Sequence, residues 1–139
     1  IEIKERAKKA LDDGQTKYTA IPGTPELLKA VVGKLKRDNN LDYATNMIQT
    51  NNGAKRSLFN LFQALIDEGD EVIIPAPYWV TYPEVVKYSG GTSVIIETDD
   101  MTGFKITPQQ LREAITPKTK ILVLTTPSNP TGSVYSREE

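Results

Sequence analysis

Two short, unbroken apolar runs, each stopped by proline, constrain this 139-residue chain more than any other feature. Val72-Ile73-Ile74 ends in Pro75-Ala76-Pro77-Tyr78-Trp79, and Ile121-Leu122-Val123-Leu124 leads into Pro127-Ser128-Asn129-Pro130-Thr131-Gly132. Runs this short, apolar at every position, read as strands buried on both faces. Residues 92–97 form a third strand-like run with branched side chains, and amphipathic segments separate the three. Strand–helix alternation with continuous apolar strands predicts a mainly parallel sheet with helices on both faces, a three-layer α/β/α fold.

The intervening segments read as helices. Residues 1–11 carry a helical pattern that starts without a capping residue and ends at Gly14, a candidate left-handed C′ position. Thr24 caps a second helix, with Pro25 at its first position and Glu26 beside the positive end of its dipole. Leu27, Leu28, Val31, Val32 and Leu35 give that helix one apolar face, and Asp38-Asn39-Asn40 ends it. Met47-Ile48-Gln49-Thr50 reads as a short strand and Asn51-Asn52-Gly53 as a turn. Residues 54–66 read as a helix closed by Gly69, apolar over much of its surface and so expected to be well buried. Shorter helices are predicted over residues 83–89 and from Thr107-Pro108 through Ile115, with a surface turn at 99–103. Ser136-Arg137-Glu138-Glu139 is a capping box, which ordinarily opens a helix. That box and the uncapped start predict a stretch truncated at both ends, with a parent protein continuing past Glu139.

Composition narrows the chemistry. The chain has no cysteine and no histidine, which excludes disulfides, thiolate or imidazole metal sites and His-based triads. Acid–base work near neutral pH then needs a shifted lysine or carboxylate, or a cofactor. A net charge of -1 with 25% charged residues points to neither nucleic acid nor an anionic membrane. No apolar run approaches the length of a membrane span and no signal peptide is visible, so a cytoplasmic setting is the default expectation.

In parallel α/β sheets ligands bind beyond the carboxyl ends of the strands, and three junctions fall there. In Asn52-Gly53-Ala54-Lys55, Gly53 permits a tight turn and Ala54 adds little bulk, while the helix start offers N–H groups and a positive dipole end to a phosphate. The alternative is a tight turn before a buried helix. Trp79, the only tryptophan, either stacks on a flat aromatic ligand or fills the core at the end of the sheet. Asn129, stiffened by flanking prolines, either donates a hydrogen bond to a phenolate-like oxygen or stabilises its own turn. Tyr18 lies in an irregular stretch, residues 15–23, where its hydroxyl either reaches a phosphate or packs partly buried. A phosphate cradle, a stacking surface and an amide at one sheet edge describe a site for a phosphorylated aromatic cofactor. Pyridoxal 5′-phosphate (PLP) fits all three parts.

At these residues the sequence resembles the fold-type I, class I aminotransferases, especially their bacterial aspartate aminotransferase branch. The resemblance is carried by Tyr18-Thr19-Ala20-Ile21-Pro22-Gly23 with Pro25-Glu26-Leu27, and by Asn52-Gly53-Ala54-Lys55 with Leu58-Phe59-Asn60. Gly69-Asp70-Glu71-Val72 leading to Pro77-Tyr78-Trp79 and Tyr82-Pro83 is a third match, and Ser128-Asn129-Pro130-Thr131-Gly132 a fourth. The resemblance implies that residues 1–139 are part of the large, PLP-binding domain of such an enzyme. It implies that Trp79 stacks on the pyridine ring and that Asn129 hydrogen-bonds the cofactor's O3′ close to the substrate carboxylate. Gly53, Ala54 and Lys55 would hold the phosphate through backbone N–H groups. Tyr18 would reach the phosphate of a neighbouring subunit, which implies a homodimer with shared sites. The substrates would be an amino acid, aspartate, and a 2-oxo acid such as 2-oxoglutarate.

The resemblance also places the Schiff-base lysine, the aspartate facing the pyridine nitrogen and the carboxylate-binding arginine beyond Glu139. Lys55, among the phosphate donors, and Lys120, at the start of a strand, are poorly placed to substitute. No catalytic residue is therefore assigned, and the chain by itself is expected not to transaminate. Three other readings remain open: an aminotransferase of aromatic or broad specificity, an aminotransferase-like sensing domain of a transcription regulator, and a doubly wound domain that binds a nucleotide.

Overall fold

The computed structural model describes all 139 residues and divides them into two units, Ile1–Ser57 and Leu58–Glu139. In the first unit, α1 (Glu2–Asp12) carries Glu2 and Glu5 in its first turn and Lys9 in its last, each favourable to the dipole. None of its residues is buried. The α2 helix (Pro25–Asn39) begins as its capping chemistry requires, with Thr24 Oγ1 accepting from the Leu27 N–H at 3.4 Å. It ends on Asn40 in the left-handed region, φ 53°. Leu28 is buried, and Val31, Val32 and Leu35 are half-buried along the same face.

The strand expected over residues 47–50 does not form. Thr45–Met47 makes one 3-10 turn, and Ile48 is extended beyond it. A strand requires a neighbour to complete its ladder; here the Thr50 N–H instead donates to the Pro22 carbonyl at 2.8 Å.

The second unit is built around a three-stranded parallel sheet of order β2-β1-β3. After α3 (Ala54–Leu65), whose first turn lies in the first unit, come β1 (Glu71–Pro75), α4 (Thr81–Tyr88), β2 (Thr92–Ile96), α5 (Pro108–Ala114) and β3 (Thr119–Leu122). The register pairs Val72 with Ser93 and Ile74 with Ile95 on one side of β1, and Ile73 with Leu122 on the other. As the central strand, β1 places Val72, Ile73 and Ile74 wholly out of solvent. Val72 and Ile74 share one face and pack with Phe62 and Ile66 from the α3 segment and Tyr82 and Val86 of α4.

The chain passes from β1 through α4 to one neighbour, then from β2 through α5 back across to the other. With right-handed crossovers, opposite directions of travel set α4 and α5 on opposite faces of the sheet. This agrees with the layered α/β fold expected from the sequence.

Three details differ from expectation. The α3 helix stops at Leu65, four residues before Gly69, and only one side of it is covered: Phe62 is buried while Leu61 and Leu65 are 48% and 43% exposed. Within this chain the sheet supplies an apolar partner for one face of α3 only. Second, α4 starts at Thr81, two residues before Pro83. A proline in the first turn lacks an N–H that the helix would not have used. Third, β3 is not buried on both faces, because it is an edge strand; Leu122 is 38% exposed and Leu124, just beyond it, 51%. The Ser136–Glu139 capping box closes as predicted from its residue types, and the helix start expected at Thr107 proves to carry a second box, with Gln110. No helix is long and apolar enough to cross a membrane.

Candidate functional site

The carboxyl ends of β1 and β3 are neighbours in the sheet, and the loops leaving them bound a narrow cleft. Pro77, Tyr78 and Tyr82 line it from the β1 side; Thr125, Ser128 and Asn129 line it from the β3 side. The cleft therefore lies where parallel sheets bind ligands, beyond the carboxyl ends of adjacent strands.

Trp79 follows this cleft's β1 wall. Its indole is half-buried, packed against the core cluster, and perpendicular to the Tyr82 ring, with centroids 5.6 Å apart and an interplanar angle of 88°. That arrangement is a favoured aromatic geometry. Core filling, one of the two roles open for Trp79, is thus part of what it does, and a portion of its surface stays accessible.

Asn129 sits in a loop that is held without it. The Gly132 N–H donates to the Ser128 carbonyl and the Ser128 N–H to the Ser133 carbonyl, both at 2.8 Å. The Ser133 hydroxyl donates to the Gly103 carbonyl at 2.7 Å. The Ile106 N–H donates to the Tyr135 hydroxyl at 2.9 Å. The exposed Asn129 carboxamide takes no part in these bonds. Stabilising its own turn, the alternative role for this side chain, is not what the loop uses it for.

Gly53, Ala54 and Lys55 form the start of α3 in the first unit. Gly53 has φ +84°, a region that disfavours a side chain, and nothing lies within 4 Å of where a Cβ would stand. The turn thus requires glycine for its conformation, and its backbone is open to approach. The Asn51 side-chain amide donates to the Ser57 hydroxyl at 3.1 Å across this turn. Tyr18, also in the first unit, is fully exposed at 107%. The packing role left open for it is excluded within this chain.

Residue-by-residue reading passed over Tyr82 and Thr125, whose hydroxyls share a hydrogen bond of 3.0 Å between the two walls of the cleft. One signal was present: Trp79 and Tyr82 are three residues apart at a helix start, a spacing that puts side chains on one face. Thr125 gave none, because its partner is 43 residues away.

The chain is similar to known proteins along its whole length. The profile of the family described as Aminotransferase class I and II matches residues 1–139. The aspartate/prephenate aminotransferase of Cereibacter sphaeroides is 50% identical over 137 residues, 99% of this chain and 34% of that protein. The aspartate aminotransferase of Geobacillus stearothermophilus is 51% identical, again over 99% of this chain, and 35% of its own length. Among solved structures, the aspartate aminotransferase from Thermus thermophilus with maleate superposes with a TM-score of 0.95 at 48% identity, covering 98% of this chain and 36% of that one. The chain spans about a third of the length of the curated relatives it matches. A family profile matched from the first residue to the last, with relatives at half identity and the same fold, establishes that the chain belongs to the class I and II aminotransferases.

Proposed function

We propose that the chain is part of the large domain of a PLP-dependent aminotransferase that acts on aspartate and 2-oxoglutarate. The amino group of aspartate is exchanged for the oxo oxygen of 2-oxoglutarate, giving oxaloacetate and glutamate. The observation that carries this reading is the meeting of the Trp79-bearing and Asn129-bearing loops at the carboxyl ends of adjacent strands. Two relatives named for aspartate, and a third solved with maleate, a four-carbon dicarboxylate, support the amino donor.

The residues present fit the cofactor. An approachable glycine backbone at a helix start suits a phosphate dianion. A half-exposed indole suits a flat ring. A carboxamide not used by its own loop suits a fixed oxygen acceptor. When bound, the cofactor would supply the electron sink that allows a Cα–H bond of the amino acid to break.

The chain's own groups bind and orient. Backbone N–H groups of Gly53, Ala54 and Lys55 hold the phosphate, and the dipole of α3 offsets its charge. Trp79 fixes the ring plane and excludes water from one face. Asn129 donates from Nδ2 to the O3′ oxygen and borders the substrate carboxylate. Tyr18, extended into solvent, reaches the phosphate held by a second copy in a homodimer with shared sites. The covalent lysine and the carboxylate-binding arginine belong to parts of the protein outside this stretch. A cytoplasmic setting goes with this reading.

Titrating the full-length apoprotein with PLP tests it. Trp79→Ala is expected to weaken binding by about fivefold, the worth of one aromatic stacking contact, and to shift the bound cofactor's absorbance. Unchanged affinity and spectrum would remove the stacking role.

A further inference from the structure

We propose that Tyr82 and Thr125 form a positioning strut that sets Trp79 and Asn129 at a fixed spacing for the cofactor. The inference rests on the functional reading above. Tyr82, the second residue of α4, is 9% exposed. Its ring stands perpendicular to the Trp79 indole at 5.6 Å, and its hydroxyl shares a 3.0 Å hydrogen bond with Thr125. Thr125 lies just past the end of β3, at the root of the loop that carries Asn129. One side chain thereby joins both walls of the cleft: its ring braces the indole, and its hydroxyl ties the root of the Asn129 loop.

Packing alone does not account for the hydroxyl. The rest of the cluster around Tyr82 is Phe62, Ile66, Val72, Ile74 and Val86, all apolar. A phenylalanine would serve such a cluster, and a hydroxyl there is costly unless it is bonded. Two side-chain ties of the Asn129 loop run the other way, between Ser133 and Gly103 and between Tyr135 and Ile106. On the Trp79 side, the Val123 N–H donates to the Ile73 carbonyl at 2.9 Å where the loop leaves the sheet, and the Tyr82–Thr125 bond is the side-chain tie directed toward Trp79.

The test is PLP affinity of the full-length apoprotein, followed by absorbance, with urea stability measured on the same variants. Tyr82→Phe keeps the ring and removes the hydroxyl. Thr125→Val removes the partner, and Thr125→Ser restores it. Each of the first two is expected to weaken PLP binding by about fivefold, the loss expected for one hydrogen bond. Combining them should cost no more than either alone, and Thr125→Ser should bind as wild type. Wild-type affinity in both single variants, with or without a loss of stability, overturns the strut, as do losses that multiply in the double variant. Trp79→Ala separates the two levels of inference. If it weakens binding while Tyr82→Phe does not, only the strut fails; if it has no effect, the stacking role assigned to Trp79 fails and the strut with it.

Discussion

Gly23 closes the segment that follows Tyr18, and replacing it with alanine tests how that segment is held. Gly23 has φ +120°. An added Cβ would overlap the Thr50 hydroxyl oxygen and lie 3.5 Å from Thr50 Cβ and 3.7 Å from Leu28 Cδ2. Thr50 cannot turn away without loss, because its hydroxyl donates to the Pro22 carbonyl at 3.0 Å. Two costs therefore add. An L residue held in that backbone region is strained by about 1–3 kcal/mol. Displacing the hydroxyl forfeits a hydrogen bond worth about 1 kcal/mol. Gly23→Ala should lower stability by about 2–4 kcal/mol. Thr50→Ala removes both bond and obstacle, costing about 1 kcal/mol alone. In that background Gly23→Ala meets only backbone strain, so the double variant should fall short of additivity by about 1 kcal/mol. Urea unfolding of the full-length protein, followed by circular dichroism across all four members of the cycle, measures this. Strict additivity would show that Thr50 is not the obstacle. A Gly23→Ala protein within about 0.5 kcal/mol of wild type would refute the whole account.

Two other glycines should respond in opposite senses. At Gly91 a Cβ would come within 2.7 Å of Ile66 Cγ2 and 3.2 Å of both the Asp70 carbonyl and Val86 Cγ1, so Gly91→Ala should destabilise by about 1–3 kcal/mol through overpacking. Gly33, inside α2 with nothing within 4 Å, should give a protein more stable by about 0.5–1 kcal/mol as Gly33→Ala; equal effects at the two sites in the same thermal scan would contradict the packing described. Glu139 is held below the ordinary carboxylate range by its hydrogen bond to Lys105, helped by the Ser136 N–H. A folded pKa lower than the unfolded one contributes stability above the unfolded value, and that stability fades as pH falls through the lowered one. Lys105→Met should therefore move the carboxyl titration of Glu139 upward, readable by NMR, and no movement would remove Lys105 as the cause.

How much of the fold the sequence disclosed depended on where each partner lay. Thr24-Pro25, Thr107-Pro108 and Ser136 were legible because a cap and its target sit within three residues of each other. Val72-Ile73-Ile74 was legible because a central parallel strand must be apolar at every position. Met47-Ile48-Gln49-Thr50 was misread by the same logic: the residue types suit a strand, but a strand exists only when another lies beside it. The burial of β3 and α3 was overstated for a related reason. Ile121-Leu122-Val123-Leu124 has the composition of a central strand, yet it occupies an edge here, and the Leu61 and Leu65 side of α3 faces no partner within these residues. Periodicity reports what a segment is able to bury; it does not report what is available to cover it.

The site shows the same division. Gly53, Trp79 and Asn129 stood out in the sequence because each is marked by its immediate neighbours: a turn before a helix, or prolines that stop a strand. Local context left two roles open at each, and three-dimensional contacts bear on the structural one. The Asn129 loop closes its own hydrogen bonds through Ser128, Ser133 and Tyr135, which leaves the carboxamide for something else. Trp79 meets Tyr82 edge-on, so the indole is held by packing while part of it stays accessible. The Tyr82–Thr125 bond could not be read in advance, because nothing near Thr125 in the chain points to a partner 43 residues away. Residues expected to meet a ligand leave a local signature, since the loop must be shaped around them. Residues that hold those loops apart are defined only by the fold, and a structure is needed to find them.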